Sequence, residues 1–360
     1  MSRIPEAFVS DLKAKIDLVA LGERHGIHWD RSAAKAPKAC CPFHAEKTPS
    51  FVAHQDGKHG PIFHCYGCAR TWDALAFVQA LAGVDFVAAV EELASTAGIA
   101  VPRENETPEQ RGLREKEASL RGQAGQALSA AQDFFISVLQ ARTAEAKAAR
   151  DYLVGRDLPC DGGDPFGFGY APRRGGALVE KLDRQGITRE AAALAGLLND
   201  EGRPRFWGRV TLPIRDRRGQ VLSFAGRVLD GSEPKYLNGP ETPFFEKGKV
   251  LYGLDLAADA IRERGRALLV EGHLDRVTAH LCGLEHAVAL QGTAFTPHHA
   301  AELARLTPTV VFALDGDDAG LNALERALPV ALEAGLSPRF VGLPAGEDPD
   351  GWLRKGGARG

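Results

Sequence analysis

The stretch CCPFHAEKTPSF at residues 40–51, followed by FHCYGC at residues 63–68, decides the fold of the first part of this chain. Each stretch holds a pair of metal-ligand residue types with two residues between them, and twenty residues separate the pairs. A two-residue spacer lets a tight turn aim both side chains at one point, and two such turns make the tetrahedral sulfur and imidazole site that Zn²⁺ prefers. The spacing predicts a closed, structural zinc site with the ligands Cys41, His44, Cys65 and Cys68.

The exact ligand set stays open on the sequence alone. The Pro-Phe dipeptide forms the bend between the first cysteine and histidine, which favours that pair. Apolar stretches on both sides of DGKHG are typical of a β-hairpin between the two turns, so the layout is that of a zinc ribbon. The alternatives are Cys40 in place of Cys41, and His64 or His59 in place of His44.

Length and composition limit the class of protein. A chain of 360 residues has room for two or three domains. Hydrophobic residues make up 44% and charged residues 25%, which is typical of a globular protein with a buried core. The net charge of −3 argues against retention of nucleic acid by bulk charge, so such binding would need a local basic surface.

The sequence favours a cytoplasmic location. Residues 1–22 carry acidic side chains and helical alternation instead of the apolar core of a signal peptide. No run of eighteen apolar residues occurs, so no membrane association is expected. Four of the six cysteines lie within residues 40–68, unlike the framework of a secreted disulfide protein, which indicates a reducing compartment.

The cysteine and histidine motif, together with its flanks, resembles the zinc-binding domain of DnaG-type bacterial primases. The flanks that carry the resemblance are RIPEAFVSDLKAKIDLV at residues 3–19 and DALAFVQALAGVDFVAAVEELA at residues 73–94. In that family the ribbon face helps to engage the single-stranded template, by phosphate contacts and base stacking. The side chains expected on that face are Lys47, Phe51, Lys58 and Arg70.

A second region is strongly basic. Residues 203–227, RPRFWGRVTLPIRDRRGQVLSFAGR, carry seven arginines against one aspartate. Their alternation predicts two paired strands around an RRGQ turn, with arginines on one face as a ridge for a polyanion. With PKYLN and FEKGKVLYGL, this region resembles the N-terminal half of the primase polymerase domain. The resemblance implies template or nucleotide contacts for Arg227, Lys235, Tyr236 and Lys247, and more weakly for Arg209, Arg215 and Arg156.

From residue 266 onward, apolar runs bounded by glycine alternate with helical patterns. The pattern RALLVEG, HAVALQG, TVVFALDGDD and PRFVGLP predicts four strands of a buried parallel sheet. Ligand chemistry in such sheets collects beyond the carboxyl ends of the strands, where VEGHLD, DGDDAG and GEDPD place acidic residues. Carboxylates about 4 Å apart repel by roughly 4 kcal/mol at an effective dielectric near 20, so a cluster needs cations, and oxygen ligands select Mg²⁺ or Mn²⁺.

These motifs resemble the Toprim domain of primases, topoisomerases and some nucleases. The resemblance assigns metal binding to Glu271, Asp315 and Asp317, with Glu271 also a candidate general base, and adds the primase-type acids Asp275, Asp348 and Asp350. His273 and Leu274 stand where the family more usually has Tyr-Met, and Asp318 occupies a variable position; neither departure removes a metal ligand. Together with the ribbon and PKYLN, the order implies two-metal synthesis of RNA primers from nucleoside triphosphates on single-stranded DNA.

The expected fold class is multidomain α+β and α/β: an N-terminal zinc ribbon with helices, a mixed α+β basic subdomain and a Toprim Rossmann-like parallel sheet. The expected divisions are a zinc-ribbon DNA-binding domain at residues 1–102, a linker at 103–120, the N-terminal subdomain of the polymerase core at 121–264, the Toprim catalytic subdomain at 265–350 and a tail at 351–360.

The sequence stops ten residues beyond Asp350. Members of the family normally continue with a helical subdomain and a helicase-docking domain, so we expect a chain truncated before those parts. Docking to the replicative helicase is therefore doubtful. The competing hypotheses are a non-enzymatic remnant that binds zinc and single-stranded DNA, and a Toprim nuclease. A topoisomerase is disfavoured because none of the five tyrosines lies in a recognisable cleavage domain.

Overall fold

The computed structural model describes most of the chain. Contacts divide it into two compact units, residues 1–115 and 116–360, and each is described by itself. Lys58 and His59, which the sequence offers as a phosphate contact and a zinc ligand, lie outside the described residues. The described residues are 4–30, 37–44, 46–55, 60–82, 84–99, 101–103, 107–174, 176–344 and 346–356.

The first unit is a four-stranded antiparallel sheet in the order β1-β2-β3-β4 with helices packed against it. β2 and β3 form the hairpin predicted between the two ligand pairs, with Phe51 opposite Cys65. The pairing brings the first ligand turn beside the second. The elements are α1 (Glu6–Lys15), α2 (Leu18–Arg24), β1 (Lys38–Ala39), β2 (Phe51–His54), β3 (Ile62–Cys65), β4 (Thr71–Asp73), α3 (Ala74–Ala82) and α4 (Phe86–Thr96).

Aromatic packing fills the core of this unit. Phe51, Phe63 and Phe77 are each fully buried, and their rings contact one another with centroids 5.1 Å and 4.2 Å apart along the series. The expectation that Phe51 stacks on template bases is therefore wrong, because its inward position in β2 commits the ring to the core. Burial of such a ring contributes several kcal/mol, and its removal typically costs about 3–5 kcal/mol.

The predicted linker at residues 103–120 is helical over most of its length. Helix α5 runs from Pro108 to Leu139. Thr107 begins it with a reciprocal cap, because its hydroxyl accepts from the Gln110 amide and the Gln110 side chain accepts from the Thr107 amide. The polar first part lacks the apolar periodicity that predicts a helix. Its cap and charge pairs such as Arg111 with Glu115 stabilise it as an exposed helix.

The second unit begins with a mixed α+β part built on a four-stranded antiparallel sheet in the order β5-β6-β7-β8. β6 and β7 are the two strands predicted around the RRGQ turn, where Gly219 adopts φ +78°. The elements after α5 are α6 (Ala144–Val154), β5 (Gly169–Ala171), α7 (Gly176–Arg184), α8 (Arg189–Leu194), β6 (Arg209–Arg215), β7 (Val221–Val228), β8 (Tyr236–Asn238) and a 3₁₀ turn (Lys247–Lys249).

The arginines of this sheet do not form the predicted ridge on one face. Val210 pairs with Arg227, and paired residues share a face. Arg209 is the neighbour of Val210 and therefore points to the opposite face from Arg227. Both side chains are largely buried, with 8% of each residue exposed. The cause is the register of the hairpin, which charge spacing alone does not reveal.

The last part of the chain holds an all-parallel sheet in the order β10-β9-β11-β12, flanked by helices. This confirms the predicted Toprim-type sheet. Every residue of β9 and β10 is buried, as continuous apolar runs require. The elements are α9 (Leu254–Arg264), β9 (Ala267–Val270), α10 (His273–Leu281), β10 (Ala287–Ala289), α11 (Pro297–Ala304), β11 (Thr309–Phe312), α12 (Asp318–Glu333), β12 (Ser337–Phe340) and α13 (Pro349–Arg354).

Taken singly, no helix in the described parts of the chain has the length and apolar composition needed to cross a membrane. The bent pair Ala74–Leu81 and Phe86–Thr96 meets those criteria only when both helices are counted together.

Candidate active site and candidate zinc site

The acidic residues after β9 and β11 meet at one edge of the parallel sheet. Glu271 follows β9 and Asp315 follows β11, and these two strands are hydrogen-bonded neighbours. The backbone amide of Asp315 donates a hydrogen bond to Glu271 Oε1 at 3.2 Å. Two carboxylates separated by 44 positions in the chain therefore lie side by side at the carboxyl ends of their strands.

Two further acids cap the helices that leave this edge. Asp317 Oδ1 accepts from the amide of Gly320 at 2.8 Å and begins α12, and Asp348 Oδ1 accepts from the amide of Gly351 at 2.6 Å and begins α13. Gly320 has to be glycine, because a Cβ there would collide with the carbonyl of Asp315. Capping fixes one oxygen of each carboxylate and leaves the second available to a ligand.

Asp275 and Asp350 are held more tightly by the protein itself. Asp275 accepts from the amide of Gly272 at 2.9 Å and from the amide of Asp350 at 3.1 Å. Asp350 in turn accepts from the Thr278 hydroxyl at 2.6 Å and from Arg156 Nη1 at 2.8 Å. Both carboxylates thus join α10, α13 and the region after α6, which sets the position of the more open acids.

Burial, together with the proximity of these acids to one another, makes ionisation costly. Burial is the main reason that the pKa of Asp275 is raised to about 7, and the charges of Asp315, Asp348 and Asp350 add to it. Burial followed by the charge of Glu271 raises the pKa of Asp315 to about 6. Asp315 Oδ1 is buried without a hydrogen-bond partner among the described residues. An unsatisfied oxygen among crowded carboxylates fits a divalent cation that takes oxygen ligands.

A cleft of about 330 Å³ opens over this edge. Arg156 lines this cleft. Asn238, His273 and Gly292 also line it, although their residue types alone do not single them out as site residues. The only sequence feature that could have identified these residues is their position in or beside the motifs PKYLN, VEGHLD and HAVALQG. The predicted site residues that line the cleft are Glu271, Asp275, Asp315, Asp348, Asp350, Arg227, Lys235 and Tyr236.

The basic and aromatic wall of the cleft is built on paired strands. Arg227 in β7 lies opposite Tyr236 in β8, and its guanidinium stands 4.5 Å from the ring centroid. Burial raises the pKa of the Tyr236 hydroxyl to about 12, so the phenol stays protonated and can donate a hydrogen bond. Lys235 precedes Tyr236 and is exposed at the same wall.

The other predicted basic residues contact different parts of the unit. Arg209 donates to the carbonyl of Pro234 at 2.8 Å. Arg215 donates to the carbonyl of Pro165 at 2.9 Å and lies 3.8 Å from Asp255. These two arginines support the loops around the sheet. Lys247 begins the 3₁₀ turn, and its carbonyl is 3.2 Å from His299 Nε2.

In the first unit, four side chains converge as a metal-ligand set. The ligand atoms of Cys41, His44, Cys65 and Cys68 all lie within 4.8 Å of one another, and Cys41 and Cys65 are buried. Tetrahedral Zn²⁺ with sulfur and nitrogen ligands places those atoms roughly 3.5–3.8 Å apart, so the cluster fits. His64 belongs to another contact, with its Nδ1 2.8 Å from the Thr71 hydroxyl.

The thiols of this cluster differ in how readily they ionise. Burial raises the pKa of Cys41. For Cys65, burial opposes ionisation, but its contact with the Ser50 hydroxyl group and hydrogen bonds from the turn that holds Gly67 and Cys68 outweigh it and lower the pKa. A divalent cation would favour the thiolate form of both, since zinc binding deprotonates its cysteine ligands.

Three family profiles match successive parts of the chain. Residues 4–109 match the CHC2 zinc finger, residues 134–258 match the N-terminal domain of the DNA primase catalytic core, and residues 268–353 match the Toprim-like domain. The zinc-finger match and the converging ligand atoms together indicate a structural zinc site.

Curated relatives align with nearly all of this chain. The DNA primase of Pseudomonas aeruginosa is 40% identical over 363 residues, which cover 98% of this chain and 53% of the relative. The DNA primase of Escherichia coli K12 is 39% identical over 362 residues, which cover 99% of this chain and 60% of the relative. The chain thus spans between one half and two thirds of the length of these relatives.

Solved structures agree. The Aquifex aeolicus primase, with its zinc-binding and RNA polymerase domains, is 32% identical with a TM-score of 0.60, and the match covers 98% of this chain and 83% of that one. A DnaG primase catalytic domain bound to single-stranded DNA is 40% identical with a TM-score of 0.61, covering 67% and 77%. Because similarity at this level extends over the ribbon, the basic sheet and the parallel sheet alike, the chain belongs to the DnaG-type primase family.

Proposed function

We propose that this chain carries the template-binding and catalytic parts of a DNA primase, which synthesises short RNA primers on single-stranded DNA from nucleoside triphosphates. The observation that carries the proposal is the cleft that Glu271 and Asp315 line together with Arg227, Lys235 and Tyr236. A cleft with acidic, cationic and aromatic side chains in its lining suits a nucleotide, because metal-bound acids and cations can hold the triphosphate and the ring can contact the base.

The acids have two different tasks in this proposal. Glu271, Asp315 and Asp317 hold Mg²⁺ or Mn²⁺, with Asp348 beside them, because each retains a carboxylate oxygen that no capping contact uses. Asp275 and Asp350 hold the edge of the sheet in place, since backbone amides, Thr278 and Arg156 occupy their oxygens. A divalent ion bound there supplies Lewis acidity for the primer 3′-hydroxyl and offsets charge on the departing pyrophosphate.

The basic and aromatic residues of the cleft bind and orient the nucleotide or template. Lys235 is an exposed point charge suited to phosphate, whereas the guanidinium of Arg227 is held against the ring of Tyr236. A phenol fixed in this way offers a donor together with an aromatic face for a base. Lys247, Arg209 and Arg215 have their sites elsewhere in the unit, so we propose no direct contact with the nucleotide for them.

In the ribbon, Tyr66 replaces Phe51 as the proposed base-stacking residue. Tyr66 is 65% exposed. His64 packs edge-on against its ring at 4.5 Å, and the hydroxyl lies 3.5 Å from His54 Nε2. Lys47 and Arg70 are exposed in the same unit and supply charge for phosphates. This aromatic and basic surface suits single-stranded DNA. We propose the cytoplasm as the compartment in which such a primase acts.

The direct test is primer synthesis on single-stranded DNA with radiolabelled nucleoside triphosphates, with and without added Mg²⁺ or Mn²⁺. We expect ribonucleotide incorporation that requires the ion and that D315N reduces by about a hundredfold or more. The matched control is D318N, which changes an exposed carboxylate three residues further along, at the first position of α12. Both variants should retain the same zinc content, because the ribbon is a separate unit.

The competing functions give different results in the same experiment. A nuclease would cut the template in a manner that requires the ion and would not join nucleotides. A binding remnant would retain the oligonucleotide without either reaction. Equal incorporation by D315N and the wild-type protein would overturn the assignment of the acidic cleft as the active site.

A further inference from the structure

Beside the zinc ligands, the carboxylate of Glu46 faces a ligand imidazole. His44 Nε2 lies 3.2 Å from Glu46 Oε2, whereas His44 Nδ1 faces the Sγ of Cys65 at 3.9 Å. The imidazole thus turns one nitrogen toward the thiols and the other toward a carboxylate. In metal sites this arrangement fixes the tautomer of the ligand histidine and increases its basicity.

The same carboxylate also joins the two halves of the site. Glu46 Oε1 accepts from the backbone amides of Cys41 at 2.7 Å and Ser50 at 3.3 Å. Glu46 Oε2 accepts from the Ser50 hydroxyl at 2.6 Å, and that hydroxyl oxygen is 3.2 Å from the Sγ of Cys65. Only 12% of the Glu46 side chain is exposed. A carboxylate on the first turn therefore reaches a ligand of the second turn through one serine.

The second turn is shaped to admit this carboxylate. A Cβ on Gly67 would lie 2.8 Å from Glu46 Oε2, 2.8 Å from Ser50 Oγ and 2.9 Å from His44 Nε2. The amide of Gly67 instead donates to Ser50 Oγ at 3.1 Å. The glycine between Cys65 and Cys68 thus leaves space for the Glu46 carboxylate and supplies a donor to Ser50.

We propose that Glu46 is a positioning residue of the zinc site. Its carboxylate accepts the Nε2–H of His44, presents the Nδ1 lone pair to the metal, and ties the first ligand turn to the second through Ser50. It contributes no ligand of its own. The proposal concerns metal affinity and stands independently of the primase reaction, because its measurements involve neither template nor nucleotide.

The test compares zinc affinity of the full chain and its E46Q variant in competition with a chromogenic chelator. Glutamine keeps one oxygen for the amide of Cys41 but loses the charge that faces His44. We expect E46Q to raise the zinc dissociation constant about 10–100-fold, and to shift the visible spectrum of the Co²⁺-substituted protein. The matched control is E92Q, because Glu92 contacts His25 Nε2 at 3.1 Å in the same unit and His25 is not a ligand.

A second background separates the action on His44 from a general effect on the loop. In H44C the ligand is a thiolate, which has no N–H to orient, so E46Q should no longer weaken zinc binding. An equal weakening in the wild-type and H44C backgrounds would overturn the proposal, as would wild-type affinity in E46Q alone. If E46Q does not fold with zinc, folding of H44C/E46Q supports the proposal, and failure of both variants contradicts it.

Discussion

The amide of Asp315 donates a hydrogen bond to Glu271 at 3.2 Å, although 44 positions separate these residues in the chain. The contact exists because β9 and β11 are parallel neighbours, whose carboxyl ends meet at one edge. Had these carboxylates been far apart, the proposal of two-metal chemistry would have failed. This hydrogen bond places the two residues together, and Asp315 Oδ1 is buried without a hydrogen-bond partner in the described structure. Both observations are the basis of the first prediction.

Binding of Mg²⁺ should weaken as the pH falls below about 6. The folded pKa values of Asp315 and Asp275 are raised to about 6 and about 7. An acid with a raised pKa binds a proton more tightly when folded, so the metal-free protein should lose stability as the pH rises from about 4 to 7. Bound Mg²⁺ offsets the repulsion between the carboxylates, and it binds only when these acids are ionised.

We therefore expect the increase in melting temperature on addition of Mg²⁺ to be large at pH 8 and small at pH 5.5. In D315N the increase should be small at both values, whereas D318N should behave as the wild-type protein. Thermal unfolding with and without the ion measures this directly. An equal increase at both pH values would contradict the placement of the ion at these acids.

The ion pair of Arg156 with Asp350 should stabilise the second unit. Arg156 Nη1 is 2.8 Å from Asp350 Oδ2, and 29% and 11% of the two side chains are exposed. R156M leaves a largely buried carboxylate without its cation, so we expect a loss of about 1–3 kcal/mol in the free energy of unfolding. The control is R174M, because 82% of the Arg174 side chain is exposed and surface pairs contribute at most about 1 kcal/mol.

Urea unfolding of both variants measures the difference. R156M should also reduce primer synthesis more than R174M, because Asp350 then repels the neighbouring acids without compensation. Equal losses of stability in the two variants would show that the pair acts as an ordinary surface contact.

Local patterns predict most of the helices and strands, although not the polar first part of α5. They do not predict contacts between residues that are distant in the chain. The ribbon hairpin and the order of strands and helices follow from ligand spacing and apolar runs bounded by glycine. The register of the hairpin decides on which face of the sheet Arg209 and Arg227 lie. The position of Arg156 depends on its partner Asp350, which is 194 positions away in the chain. The sequence does not decide the place of Phe51, because an aromatic residue next to a ligand turn suits either a core or a stacking surface.

Lys235 should contribute one phosphate contact in the cleft. It lines the cleft and is exposed, whereas Lys249 pairs with Glu246 at 2.8 Å. K235A should weaken binding of nucleotide or template to a similar extent for all sequences and reduce the slope of log affinity against log salt by about one. K249A should leave the slope unchanged. Fluorescence anisotropy of a labelled oligonucleotide over a series of salt concentrations tests both, and identical slopes would exclude Lys235 from the interface.

Tyr66 should carry base stacking by the ribbon. Tyr66 is 65% exposed. Removal of a stacked aromatic ring typically costs about 1–3 kcal/mol of binding free energy per base. Y66A should therefore weaken binding of single-stranded DNA about 5–150-fold without loss of zinc, while Y66F should retain most of the affinity because the ring remains. The control is F86A, which removes another aromatic residue of the same unit that is 45% exposed. F51A is unsuitable because that ring is in the core. If Y66A and F86A bound the oligonucleotide equally well, the stacking surface would have to lie elsewhere on the ribbon.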